Sequence, residues 1–195
     1  MGPDIIIPVV VLAIIVPIGI LWAKKSFKDG AQRGIDDDTG FVAPSDRLTS
    51  NALRDLESPP WRVVYEIAHD KLSGITHVLI GPAGVYAVTT SMDPLPEPIA
   101  EPTPAEIGQA AIARGGVDDA LGRCGMSSDH LLVVHWGVTD GGPSSVDVMH
   151  GVIAVDGRQI TNWAAELQND HLTTAQVDLA WSTVLTSIGR PDPLA

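Results

Sequence analysis

A chain of 195 residues with 24 Asp and Glu against 12 Lys and Arg carries a formal charge of −12 and is long enough for one globular domain plus a small extra segment. Setting aside Asp4, Lys24, Lys25, Lys28, Asp29 and Arg33 leaves 22 acidic and eight basic residues after position 33, a charge of −14; nucleic-acid binding rests on cation–phosphate contacts, so no nucleic-acid partner is expected. The single Cys124 excludes an intrachain disulfide and fits a cytosolic domain.

The first element in the chain is apolar. Ile5 to Ala23 contains no charged residue, and its 19 positions would extend about 28 Å as a helix, close to the thickness of a bilayer core. A cleaved signal peptide would have a basic front end and a small-residue cleavage site. Here Asp4 precedes the span and Trp22-Ala23-Lys24-Lys25 follows it, which predicts a retained transmembrane anchor over residues 1–25. Lys24, Lys25, Lys28 and Arg33 all follow the span and no basic residue precedes it. The positive-inside rule therefore places the N-terminus outside and the C-terminal domain in the cytoplasm of a single-pass cell-membrane protein. Pro17 predicts a kink, Gly19 offers a small surface to a neighbouring helix, and Trp22 sits at headgroup level. These three are the candidate contacts with other membrane-protein subunits.

Residues 26–43, with Gly30, Gly34, Gly40 and the run Asp36-Asp37-Asp38, read as a juxtamembrane linker. A helix is predicted from Pro44-Ser45-Asp46, capped by Ser45 or Asp46, with Leu48, Ala52, Leu53 and Leu56 at helical spacing. Trp61 to His69 alternates as a half-buried strand. Ile75–Ile80 and Val85–Thr90 are rich in Val, Ile, Tyr and Thr, and Gly81-Pro82-Ala83-Gly84 between them closes a tight reversal. Five prolines (Pro94, Pro96, Pro98, Pro102 and Pro104) keep residues 93–104 extended, as a stiff connector or a docking arm.

Ala105 to Arg123 is helical, with a break expected at Gly115-Gly116 and a new cap at Asp118. Leu131–Val138 reads as a strand buried on both faces and Val148–Val155 as another strand. Thr161 or Asn162 starts a short helix. Thr173 or Thr174 caps the last one, whose Val177, Ala180, Trp181, Val184, Leu185 and Ile188 form one stripe.

The stretch Ile75-Thr76-His77-Val78-Leu79-Ile80-Gly81-Pro82, followed by Gly84-Val85-Tyr86, resembles the core hairpin of the nuclease-related domain (NERD) family. The resemblance implies an α/β, mixed-sheet, restriction-endonuclease-like domain over residues 44–190. In that family the first strand begins Ile-Asp-His-Val-Leu and the second ends in Glu-x-Lys. Thr76 stands at the Asp position, Thr89 at the Glu and Ser91 at the Lys, and the Gly-Glu pair of the family's first helix has no counterpart here. A nuclease of this kind needs two carboxylates on a divalent cation and a Lys to activate water. Neutral hydroxyls cannot balance the cation's charge, so the three positions are degenerate and no catalytic, cofactor-binding or metal-binding residue is assigned.

Nothing else in the chain supplies a site. The histidines His69, His77, His130, His135, His150 and His171 form no metal-ligand spacing, and His130 and His135 face opposite ways on their strand. Ser91, His77 and Asp93 make a triad only on paper, without a nucleophile elbow. No phosphate loop, dinucleotide fingerprint or small-molecule substrate site is evident. The expectation is a non-enzymatic accessory or assembly subunit of a larger membrane complex. Because such complexes are common in aerobic GC-rich bacteria, the host expected is a respiratory-chain assembly such as an oxidase supercomplex. The alternative is a membrane-tethered, nuclease-related enzyme with a displaced active site.

Overall fold

The turn at Gly81–Gly84 sets the register of the central hairpin. Pro82 and Ala83 form a two-residue connection between β2 (His77–Gly81) and β3 (Gly84–Ser91), which pair antiparallel from Gly81↔Gly84 to His77↔Val88. Gly84 has φ +132°, a conformation closed to residues with a Cβ. A computed structural model describes residues 43–57, 59–68, 71–72, 74–138, 142–167 and 171–191. The span Ile5–Ala23, with Pro17, Gly19 and Trp22, and the linker to position 42 lie outside the described residues. Among those described, no helix is long and apolar enough to cross a membrane.

The domain is an α/β mixed sheet. β1 (Arg62–Val64) flanks β2 antiparallel, and β4 (His130–His135) lies parallel to β3. β6 (Val152–Asp156) lies parallel to β4, and β5 (Ser145–Met149) runs antiparallel on the outside, giving the order β1-β2-β3-β4-β6-β5.

Alternation along the strands builds two cores. Val78, Ile80, Val85, Ala87 and Leu131 meet α2 (Pro104–Leu121) and α4 (Thr174–Ser187) on one face. Leu79, Tyr86, Val88, Leu132 and Val155 meet α1 (Pro44–Arg54) and α3 (Ile160–Glu166) on the other.

Several elements depart from their sequence expectation, each for a local reason. The strand expected over Trp61–His69 ends at Val64, because Glu66 takes φ +49° and breaks the alternation. Ile67 consequently packs in the same core as Val64 rather than with Val63. The strand expected over Val148–Val155 is a hairpin, with Gly151 (φ +77°) in the turn between β5 and β6. α2 runs unbroken through Gly115-Gly116, and Asp118 accepts the backbone N–H and hydroxyl of Ser128 instead of capping.

α1 has no side-chain cap. It turns Thr49, Ser50 and Leu53 inward and leaves Leu48 41 % exposed. The last helix keeps its expected Thr173 cap, closed into a capping box by Gln176.

Each sheet edge carries a backbone contact from outside the sheet. Trp181 Nε1–H donates to the carbonyl of Val63 on β1, and Arg62 pairs with Asp178 at 3.0 Å while stacking over the Trp181 ring. On the far edge Ile99 N–H donates to the carbonyl of Val148 at 2.7 Å.

Candidate functional site

In open sheets, ligands gather outside the carboxyl ends of parallel strands. Here those ends belong to β3, β4 and β6, and the register aligns Ser91 with His135 and His135 with Asp156. Alternation from the apolar residues puts all three on the α2/α4 face, where His135 is 8 % and Asp156 6 % exposed.

His135 Nδ1 lies 3.0 Å from the carbonyl oxygen of Asp93, which only accepts, so this nitrogen carries the proton. Burial pushes the imidazole below its usual pKa, opposed by the Asp93 carbonyl and by the charges of Asp93 and Asp156. Asp156 Oδ1 accepts from the backbone N–H of Arg158 at 2.9 Å and from its guanidinium at 3.3 Å. Arg158 also donates to the carbonyls of Trp136 and Gly137, which fixes the turn after β4.

Thr89 precedes Ser91 by two residues on β3 and lies beside this row. Past His77↔Val88 the register breaks: the Thr76 N–H donates at 3.1 Å to the carbonyl of Val88, the residue already paired with His77, so Thr76 is not set opposite Thr89. The structure therefore brings Thr89 and Ser91 together on one side of the sheet, while Thr76 turns its hydroxyl to the ring of His77. Thr76 Oγ1 bonds His77 Nδ1 at 2.9 Å and donates to the Val88 carbonyl at 3.4 Å. Ser91 Oγ accepts from the Asp93 N–H at 3.0 Å and donates to Asp93 Oδ2 at 3.2 Å. Among the described residues, no three His, Cys, Asp or Glu side chains converge as a metal site.

His77 belongs to the other face. Its Nε2 meets Ser50 Oγ of α1 at 2.8 Å, fully buried, so the Ser91–His77–Asp93 grouping does not exist in space. With Thr76 donating to Val88, Nδ1–H donates to Thr76, and a neutral ring leaves Nε2 to accept from the Ser50 O–H. Burial lowers this imidazole to about 4. Next to it, Trp136 Nε1–H donates to Thr49 Oγ1, which bonds Thr90 Oγ1, both at 2.9 Å. A shallow groove of about 310 Å³ runs outside these residues, between Leu48 of α1 with Asp55 just after it and Trp136 and Arg158.

His130 stacks on Tyr86 on the α1/α3 face and His135 points to the other, as their spacing requires. The pairing of His135 with Asp156 was hidden in the sequence. It depends on β4 and β6 being neighbours, and β6 is invisible while Val148–Val155 reads as one strand. The signal that could have found it is His150-Gly151, a turn pair inside the apolar run.

No protein-family model, no curated protein and no solved structure matches this chain.

Proposed function

We propose that the chain is a membrane-anchored, non-enzymatic accessory or assembly subunit, in which a restriction-endonuclease-like, nuclease-related scaffold has lost its metal chemistry and serves for protein contacts. The observation that carries this reading is the state of the three degenerate positions. Thr76 does not join Thr89 and Ser91 in one row as a metal site would need, and Thr76 and Ser91 spend their hydroxyls on the fold's own groups, His77, Val88 and Asp93. The charge of −14 after position 33 gives further support against a nucleic-acid substrate. The apolar span with its trailing lysines supports the anchor, and the host we propose is a respiratory-chain assembly such as an oxidase supercomplex.

Calorimetric titration tests the chemistry. Neither Mg²⁺ nor Mn²⁺ should release heat of binding at the hairpin, and micromolar affinity abolished by Thr76→Ala or Thr89→Ala would overturn the reading. Topology has its own test. With a tag on each end, protease added to intact spheroplasts should remove the N-terminal tag and spare the C-terminal one; the reverse pattern refutes the orientation.

One observation favours the second reading, a displaced active site: a buried imidazole and carboxylate side by side at the carboxyl rim. Under that reading His135→Ala abolishes an activity that Thr76→Ala leaves intact.

A further inference from the structure

Residues 93–103 leave the end of β3, touch the turn after β4 and reach the outer edge of β5, spanning the sheet from β3 to its far side. We propose that this segment is a displaceable strap, which shields the His135–Asp156 end of the sheet and opens without unfolding of the domain. The proposal does not depend on the accessory-subunit reading.

The strap is rich in residues that cannot hold it down. Pro94, Pro96, Pro98 and Pro102 have no N–H to donate. Among the described residues, the hydrogen bonds that tie its backbone to the sheet cluster at two points. At one end the Asp93 carbonyl accepts from His135 Nδ1 at 3.0 Å and from Gly137 N–H at 3.2 Å. At the other, Ile99 N–H donates to Val148. Asp93, Pro94, Glu97, Pro98, Ala100 and Glu101 are exposed. Segments with few buried contacts and few backbone bonds are the ones that open locally.

What lies at the anchors is of a different kind. His135 and Asp156 are buried polar groups at the ends of central parallel strands. Gly137 meets the strap backbone directly, since a Cβ there would fall 2.3 Å from the Pro94 nitrogen and 2.4 Å from the Asp93 carbonyl carbon. The seat is thus shaped to the strap, while the strap's own hold is slight. Opening would free the His135 imidazole and the Val148 carbonyl on an edge strand, both of which an incoming extended segment could use.

Histidine modification by diethyl pyrocarbonate, read by mass spectrometry on the full chain in mild detergent, tests this with an internal reference. His77 is buried beneath α1 and reacts only after global unfolding. With each rate divided by that of the urea-unfolded chain, His135 should react at least about tenfold faster than His77 at neutral pH. Ile99→Pro, which removes the Val148 anchor from a segment already rich in proline, should raise the His135 rate further and leave that of His77 unchanged. Equal rates for the two histidines in the native chain, or an Ile99→Pro chain with the His135 rate of the parent, would overturn the proposal.

Discussion

Lowering the pH from 7 to 4 should remove about 3 kcal/mol of stability through His77 alone. Its imidazole is neutral in the fold, with a pKa pushed down to about 4 by burial, while the unfolded chain takes up the proton near 6.5. Between those values the unfolded state binds more protons, so the stabilisation is complete above about pH 6.5 and is lost as pH falls toward 4. His130 and His135 are also lowered and act in the same direction. Carboxylates titrate in the same range, so the measurement is a comparison. Urea unfolding by tryptophan fluorescence in detergent, at pH 7 and 4.5, is run on the parent and on His77→Gln. The variant gives up part of the Ser50–His77–Thr76 chain and should be less stable at pH 7 by about 1–3 kcal/mol. Its further loss on acidification should be smaller than that of the parent by most of the 3 kcal/mol. Parallel pH dependences would refute the neutral buried ring.

Gly84→Ala should lower the midpoint of thermal unfolding by about 10 °C. The residue sits at φ +132°, and an added Cβ would lie 2.4 Å from Asp129 Oδ2. That carboxylate accepts the N–H of Val85 at 2.7 Å, and the Asp129 N–H donates to the Val85 carbonyl at 2.8 Å. These two bonds tie the hairpin to the chain entering β4. Backbone strain and a lost charge-assisted bond together cost about 3–4 kcal/mol, at about 2–4 °C per kcal/mol for a domain of this size. Gly115→Ala is the control. Nothing lies within 4 Å of its Cβ and it occupies a helix interior, so stability should rise by about 0.5–1 kcal/mol. A Gly84→Ala chain that melts with the parent would mean that the turn does not hold the conformation described.

The central hairpin was legible because its evidence is local: β-branched and aromatic strands on either side of a Gly-Pro-Ala-Gly turn. The Thr173 cap and the stripe behind it were legible for the same reason. What failed were inferences in which tertiary packing overrides a local signal. Gly115-Gly116 is a helix breaker by propensity, yet α2 is held on both sides of it by Ala110, Ala113, Val117 and Leu121 in the core. Leu48 looked like a core residue, whereas Thr49 and Ser50 are the buried ones, since they find Thr90 and His77 as polar partners across the interface. The candidate site was half legible. Thr89 and Ser91 could be placed from the hairpin alone; Thr76 could not, because the pairing slips at His77, and His135 and Asp156 needed the strand order.

The most direct test of the central claim is affinity purification of the full chain from membranes in mild detergent, with quantitative identification of what accompanies it. The account predicts near-stoichiometric recovery of the subunits of one multi-subunit membrane complex, reduced by Gly19→Ile while membrane insertion persists. Recovery of the chain alone, as a monodisperse species free of other membrane subunits, would contradict it.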